Sequence, residues 1–184
     1  NTVFPFQYNN FNQLKEIVKE NDIGVIKMEV TRNEGPLDNF LQNVRDLATK
    51  NGIVLIFDEC TSGFRENYGG IHANFDVQPD LAIYGKAMGN GYAITAVVGK
   101  EEIMEAAQST FISSTFWTER IGPSAAIATL KEMKKIKSWE LITSIGNKVR
   151  KGWEKLANNH NLKIDILGIP AISTYSFQSK NNLK

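Results

Sequence analysis

GIVLIFDECTSGFRENYGGIHANFDVQPDLAIYGKAMGNG, residues 52–91, decides how the rest of the chain is read. It opens with a run of strand-forming apolar residues, Ile53 to Phe57, which ends in the acidic pair Asp58-Glu59. After a long polar loop a second apolar run, Leu81 to Tyr84, leads to Gly85-Lys86 and a glycine-rich turn at Gly89 and Gly91. A carboxylate at one strand tip and an amine at the next is a chemical arrangement. In open α/β sheets, ligands sit beyond the carboxyl ends of the strands.

On the N-terminal side, Phe11, Leu14, Ile17 and Val18 share one helical face, which predicts a helix over Phe11 to Glu20 capped by Asn9 or Asn10. A strand follows from Gly24 to Val30, with Glu29 near its end, and then a polar turn from Thr31 to Gly35. Pro36 suits a first helical turn, so a second helix is expected to bury Leu37, Phe40, Leu41, Val44, Leu47 and Ala48 and to stop at Asn51-Gly52. On the C-terminal side come a strand from Ile94 to Val98 and a helix at about Glu101 to Ala107. Helices over Ile121 to Lys135 and Trp139 to Asn158 follow. The second carries an apolar stripe of Ile142, Ile145, Val149, Trp153 and Leu156, read as core or interface. Leu162 to Gln178 reads as strands of another unit.

Alternating strands and helices give an α/β fold, a largely parallel (mixed) sheet flanked by helices. Nearly continuous apolar strands imply cover on both faces. The expected division places residues 1–138 in a large domain and 139–184 in a linking helix and the beginning of a small C-terminal domain.

A length of 184 residues allows one domain, or one and a part. The net charge of +1 leaves no electrostatic footprint for nucleic acid or an anionic membrane. No apolar run approaches the roughly 20 residues of a membrane span. Cys60 is the only cysteine, which excludes an internal disulfide and points to a reducing, cytoplasmic compartment. The sequence begins at Asn1 without methionine and reads as a fragment of something longer.

Two chemistries use a strand ending in Asp58-Glu59. A nucleotide-hydrolysing domain would hold magnesium there, but it needs a loop of the form G-x-x-x-x-G-K-[ST]. Gly85-Lys86 is followed by Ala87, and Gly99-Lys100 by Glu101, so neither qualifies. The other chemistry uses Lys86 as well. A lysine that bonds to an aldehyde needs a semi-buried setting, which Tyr84-Gly85 and Ala87-Met88-Gly89 would supply. A pyridoxal cofactor works as an electron sink while a carboxylate keeps its ring nitrogen protonated, a role open to Asp58. Its phosphate needs hydroxyl and N–H donors, which Ser113-Ser114-Thr115 offers ahead of a helix. A third possibility is an inert relic that keeps the fold and not the cofactor.

The segments FDECTSGFR, QPDLAIYGKAMGNG and SSTF resemble the fold-type I, class-III pyridoxal-phosphate aminotransferases, and within them the branch like glutamate-1-semialdehyde aminomutase. The resemblance runs over nearly the whole chain. It implies an aspartate-aminotransferase-type large domain, pyridoxal 5'-phosphate as cofactor, a small-molecule amino or keto substrate, and a homodimer with shared active sites. By position it makes Asp58 the partner of the pyridine nitrogen and Cys60 a small residue against the ring. Lys86 becomes the Schiff-base lysine and proton shuttle. Thr115, with Ser114 beside it, becomes a contact to the phosphate of the neighbouring subunit's cofactor. Many relatives carry glutamine near the ring hydroxyl where this chain has Thr61, which is a departure. The run Phe116 to Pro123 also departs from the G-G-N-P or S-G-N-P that often follows the threonine. The family's phosphate loop, ring-stacking aromatic and substrate arginine have no counterpart in these residues.

Around this set, Glu59 either orients a neighbour or is solvated, and Glu29 lies where the family has a glutamate near the site. His72 and His160 lack ligand partners at metal spacing and read as structural or surface residues. Arg65 and Arg120 could bind a carboxylate, but the favoured reading is a salt bridge.

Overall fold

The computed structural model describes residues 2–116 and 118–178. Helix α1 spans Phe11–Glu20, and its N-terminal N–H groups are capped by Asn10, whose side chain accepts from the Gln13 N–H at 3.1 Å. Strand β1 (Val25–Glu29), helix α2 (Phe40–Lys50) and strand β2 (Val54–Asp58) follow. Helix α2 starts later than Pro36. Asp38 and Asn39 adopt left-handed φ of 46° and 59°, which a helix cannot contain, and Leu37 is left exposed. The Leu37 N–H is instead held by Asn9 Oδ1 at 3.0 Å.

Strand β3 (Leu81–Tyr84) and strand β4 (Ala96–Gly99) complete a sheet of order β1-β2-β3-β4. The first three strands are mutually parallel, and β4 runs antiparallel to β3. Helix α3 keeps α geometry only over Glu101–Met104 and tightens to a 3₁₀ helix over Glu105–Ser109. Helices α4 (Ile121–Ile136) and α5 (Ser138–Asn159) lead to a separate antiparallel pair, β5 (Ile164–Leu167) and β6 (Thr174–Phe177).

The period-2 alternation of a strand decides which face is covered. Ile26 and Met28 of β1, Leu55 and Phe57 of β2 and Ala82 of β3 are all buried. Leu14 of α1 and Phe40, Leu41, Val44 and Ala48 of α2 join this core. Full burial of Phe40 and Phe57 stabilises by about 1.5–3 kcal/mol each. The residues between them point the other way. There Val25 is 52% exposed and Val97 48%, so among the described residues this second face is open, contrary to the expectation of cover on both sides.

The apolar stripe of α5 is only partly buried, with Ile142 and Trp153 half-covered. Ile145, Val149 and Leu156 are exposed, and the buried positions are Gly146 and Ala157. The reason is a close approach: a Cβ on Gly146 would lie 2.0 Å from the Pro170 carbonyl oxygen. The helix therefore meets the 3₁₀ turn Pro170–Ile172 closely at Gly146, and one turn later Arg150 donates to the Gly168 carbonyl and the Ser173 hydroxyl.

Candidate active site

Adjacent parallel strands bring their C-terminal tips to one edge of the sheet. The Asp58 register pairs it with Glu29 of β1 and Ile83 of β3, and the Glu59 N–H extends the ladder to the Ile83 carbonyl at 2.8 Å. Three residues past Ile83 lies Lys86. Alternation sends Asp58 to the open face. Its Oδ1 accepts the Cys60 N–H at 3.1 Å, and its Oδ2 accepts from Lys27 Nζ at 2.9 Å. Burial alone would raise the Asp58 pKa, but the Lys27 and Cys60 hydrogen bonds outweigh it and hold the carboxyl below its usual value. Burial, with the Asp58 charge behind it, pushes the Cys60 thiol up, so it stays neutral.

Gly85 precedes Lys86 because the space is taken. A Cβ there would meet Cys60 Sγ at 3.3 Å and Thr95 Cγ2 at 3.4 Å. Lys86 itself sits at φ +41°, a left-handed conformation that costs a non-glycine residue about 1–3 kcal/mol. The turn after it is fixed by the Gly89 and Asn90 N–H groups, which both donate to the Lys86 carbonyl at 3.2 Å. Its Nζ donates to Thr61 Oγ1 at 2.5 Å. The side chain is exposed on the open face, not semi-buried; the buried positions of this turn are Gly85, Met88 and Gly89.

Asp58, Cys60, Thr61 and Lys86 thus come together. Ser114 and Thr115 do not join them: both are exposed, and the Ser114 Oγ accepts the Phe116 N–H at 3.2 Å. Beside Asp58, Glu29 lines a cleft of about 450 Å³ with Gln7, Tyr8, Arg32, Asn33 and Glu34. One Glu29 oxygen accepts from Arg32 at 3.2 Å, and the other is buried without a hydrogen-bond partner.

Glu59 has the opposite fate from Asp58. It is 1% exposed on the core side. Its Oε1 accepts the His72 N–H at 3.0 Å and pairs with His72 Nδ1 at 2.8 Å, while Oε2 accepts the Ser62 hydroxyl at 2.5 Å. Burial would raise the Glu59 pKa, yet these donors bring it below the usual carboxylate value. The network pins both ends of the loop that carries Cys60 and Thr61. It makes His72 a structural residue, at 8% exposure, and gives Glu59 the orienting role. His72 lies 13 positions from Glu59, a separation with no local sequence signal. Arg65 forms no ion pair among the described residues, and its Nε donates to the Thr61 carbonyl at 3.4 Å.

The opposed faces of Asp58 and Glu59 also weigh against a shared magnesium. Both Glu59 oxygens are engaged, and among the described residues no cluster of three metal-ligating side chains occurs. No described helix is long and apolar enough to cross a membrane.

The chain is similar over most of its length to several known proteins. The 3-aminobutyryl-CoA aminotransferase of Cloacimonas acidaminovorans (strain Evry) is 36% identical over 185 residues, covering 96% of this chain and 45% of the relative. The glutamate-1-semialdehyde 2,1-aminomutase of Nitrosopumilus maritimus (strain SCM1) is 41% identical over 140 residues, covering 72% of this chain and 33% of the relative. The FumI protein of Sphingopyxis sp. MTA144, solved in its PLP internal aldimine form, superposes with a TM-score of 0.90 at 26% identity. That match covers 95% of this chain and 44% of FumI. The chain spans less than half the length of these relatives. The nucleotide-hydrolysing alternative finds no support among them. With a strand-tip carboxylate and lysine in place, and the aminotransferase class-III model matching residues 8–184, the chain belongs to the class-III aminotransferase family.

Proposed function

We propose that this chain carries the cofactor-facing strand tips of a pyridoxal-5'-phosphate-dependent aminotransferase or aminomutase. It would move an amino group on a small aldehyde or keto substrate. The observation that carries the reading is the cluster of Asp58, Cys60, Thr61 and Lys86 on the open face of the sheet. The residues fit the cofactor chemically. Asp58 is ionised, Cys60 is neutral and packed beside a glycine that leaves room, and Thr61 brings a hydroxyl to the Lys86 amine.

When bound, the cofactor supplies an electron sink for the bonds at the substrate α-carbon. Asp58 offers a fixed negative charge to the ring nitrogen, held in place by the Cys60 N–H. Cys60 would lie against one face of the ring, and Thr61 would orient Lys86 through the hydrogen bond to its Nζ. Lys86 Nζ would hold the cofactor's aldehyde carbon and would serve as the base for the proton at the substrate α-carbon. Glu59 and His72 hold the loop on which this depends.

Ser114 and Thr115 stand outside the cluster, next to Phe111 at 95% exposure and Phe116 at 54%. An exposed apolar rim around two hydroxyls supports the reading that they serve the phosphate in a second copy, in a homodimer with shared sites. The division at residues 138 and 139 has the support of the separate β5–β6 sheet packed on α5. The single cysteine, which allows no internal disulfide, supports a reducing compartment such as the cytoplasm.

Borohydride reduction of the protein mixed with pyridoxal phosphate tests the assignment. Peptide mass spectrometry is expected to find the pyridoxyl group on Lys86 and to lose it in Lys86→Ala. Activity and absorbance unaltered by Lys86→Ala would favour the inert relic instead.

A further inference from the structure

One charged contact of the site is not needed by the chemistry above. Lys27 projects from the middle of β1 onto the open face. Its register partner in β2 is Ile56, and Asp58 lies two positions further along the same face, within reach of a long side chain. The contact is made: Lys27 Nζ lies 2.9 Å from Asp58 Oδ2. The neighbouring positions on this face are apolar or acidic, namely Val25, Val54, Ile56, Ile83 and Glu29. Two cations thus face this patch: Lys86, whose Nζ is held by Thr61, and Lys27, whose charge is directed at Asp58 and, more distantly, at Cys60 and Glu29. The Asp58 carboxylate is already committed at Oδ1 to the Cys60 N–H. The oxygen that Lys27 holds is the one without a backbone donor.

We propose that Lys27 competes with the cofactor's ring nitrogen for the Asp58 carboxylate, and so sets how tightly the ring is held and how fully its nitrogen is protonated. The proposal rests on the cofactor reading given above. A protonated ring nitrogen and the Lys27 ammonium are two cations on one anion. The ammonium either shares the carboxylate, which weakens the ring contact, or leaves it for water, which its half-exposed stem allows at small cost. In both cases Lys27 keeps Asp58 charged and aimed before the ring arrives, and lowers the gain when it does. Lys27 acts through Asp58, as a positioning residue.

The test compares the protein with Lys27→Met and Lys27→Arg, using two probes: pyridoxal phosphate and its 1-deaza analogue, in which a C–H replaces the ring nitrogen. The Lys27 side chain is 55% exposed, so neither variant opens a cavity. Lys27→Met is expected to tighten pyridoxal phosphate by about tenfold, the effect of one unit in ring-nitrogen pKa, and to leave the deaza analogue unchanged. Lys27→Arg is expected to behave as the unaltered protein. Equal shifts for both probes, or no shift for either, would overturn the proposal. Carbon-13 NMR of the Asp58 carboxyl in the cofactor-free protein separates the two levels of failure. If no protein binds either probe, the cofactor reading falls and the proposal with it, even where Lys27→Met still raises the Asp58 pKa. If the probes bind and Lys27→Met leaves that pKa in place, Lys27 does not hold Asp58 and the proposal alone is refuted.

Discussion

Replacing Asp80 with alanine should weaken the fold more than any single change at the site itself. Asp80 is 6% exposed and precedes β3. Its Oδ2 accepts the Leu55 N–H at 2.7 Å and Arg45 Nη1 at 2.9 Å, and its Oδ1 accepts from Lys100 Nζ at 2.7 Å. Its backbone N–H donates to the Leu55 carbonyl at 2.8 Å and its carbonyl accepts the Lys100 N–H at 3.0 Å. One residue therefore ties together the starts of β2 and β3 and the end of β4. The Arg45 side chain is 14% exposed, so Asp80→Ala leaves a nearly buried charge unpaired, at a cost of about 3–5 kcal/mol. The orphaned Leu55 N–H is part of that loss, worth about 1–3 kcal/mol. The Lys100 arm, 50% exposed, adds little. A total near 4 kcal/mol is a large share of the roughly 5–15 kcal/mol that holds a domain together. Asp80→Asn keeps an acceptor for the Leu55 N–H and should cost about half as much. In urea, with a slope of about 2 kcal/mol per molar, the helical signal should lose its midpoint by about 2 M in the alanine variant and about 1 M in the asparagine variant. An alanine midpoint within about 0.3 M of the parent would refute the reasoning, as would equal losses in the two variants.

Other consequences follow from the same contacts. Glu59→Gln should destabilise by about 1–3 kcal/mol and speed hydrogen exchange at the His72 amide, since a neutral amide accepts more weakly from three donors; unaltered exchange at His72 would count against the loop anchor. Asp58, Glu59 and Asp80 all have pKa values below their usual range. Their stabilisation is present above the unfolded carboxylate pKa of about 4 and drains away as pH falls through the folded values, so urea midpoints should hold from pH 7 to 5 and drop below about pH 4. Cys60, with its thiol pushed up, should react with iodoacetamide at pH 7.5 several-fold more slowly than a free cysteine, a rate read by mass spectrometry. Gly146→Val should loosen the Pro170–Ile172 turn, exposing its amides to exchange, because no side chain fits 2.0 Å from the Pro170 carbonyl.

How much of this can be read from the chain differs with the range of the interaction. Helix α1 falls where its apolar face and Asn10 place it, and β3 where Leu81 to Tyr84 place it, because caps and short apolar runs are local signals. The start of α2 escapes the same reasoning. Pro36 permits a first turn, but the left-handed Asp38 and Asn39 forbid it, and Asn9, far back in the chain, holds the Leu37 N–H. Asp58 and Lys86 are legible as strand-tip residues. That their tips are neighbours depends on β2 pairing with β3. The Lys27–Asp58 and Glu59–His72 contacts leave no pattern in the sequence, since each depends on register or on a loop's return path.

The adjacency of Asp58 and Glu59 shows why strand geometry matters more here than composition. Two neighbouring carboxylates in one cleft would share a proton or demand a cation. A strand instead turns successive side chains to opposite faces, so one chain position supplies two unrelated tools. Glu59 goes into the core and spends both oxygens on the loop from Ser62 to His72. Asp58 goes to the open face with one oxygen fixed by the Cys60 N–H and the other held only by a lysine that can leave. The rigid member fixes where Cys60 and Thr61 stand, and the solvent-facing ion pair leaves the second Asp58 oxygen without a backbone tie. Shifting β2 by one residue against β3 would exchange the two roles, burying the carboxylate proposed to face the cofactor and exposing the anchor. For this reason the register that Asp80 secures belongs to the chemistry as much as to the fold.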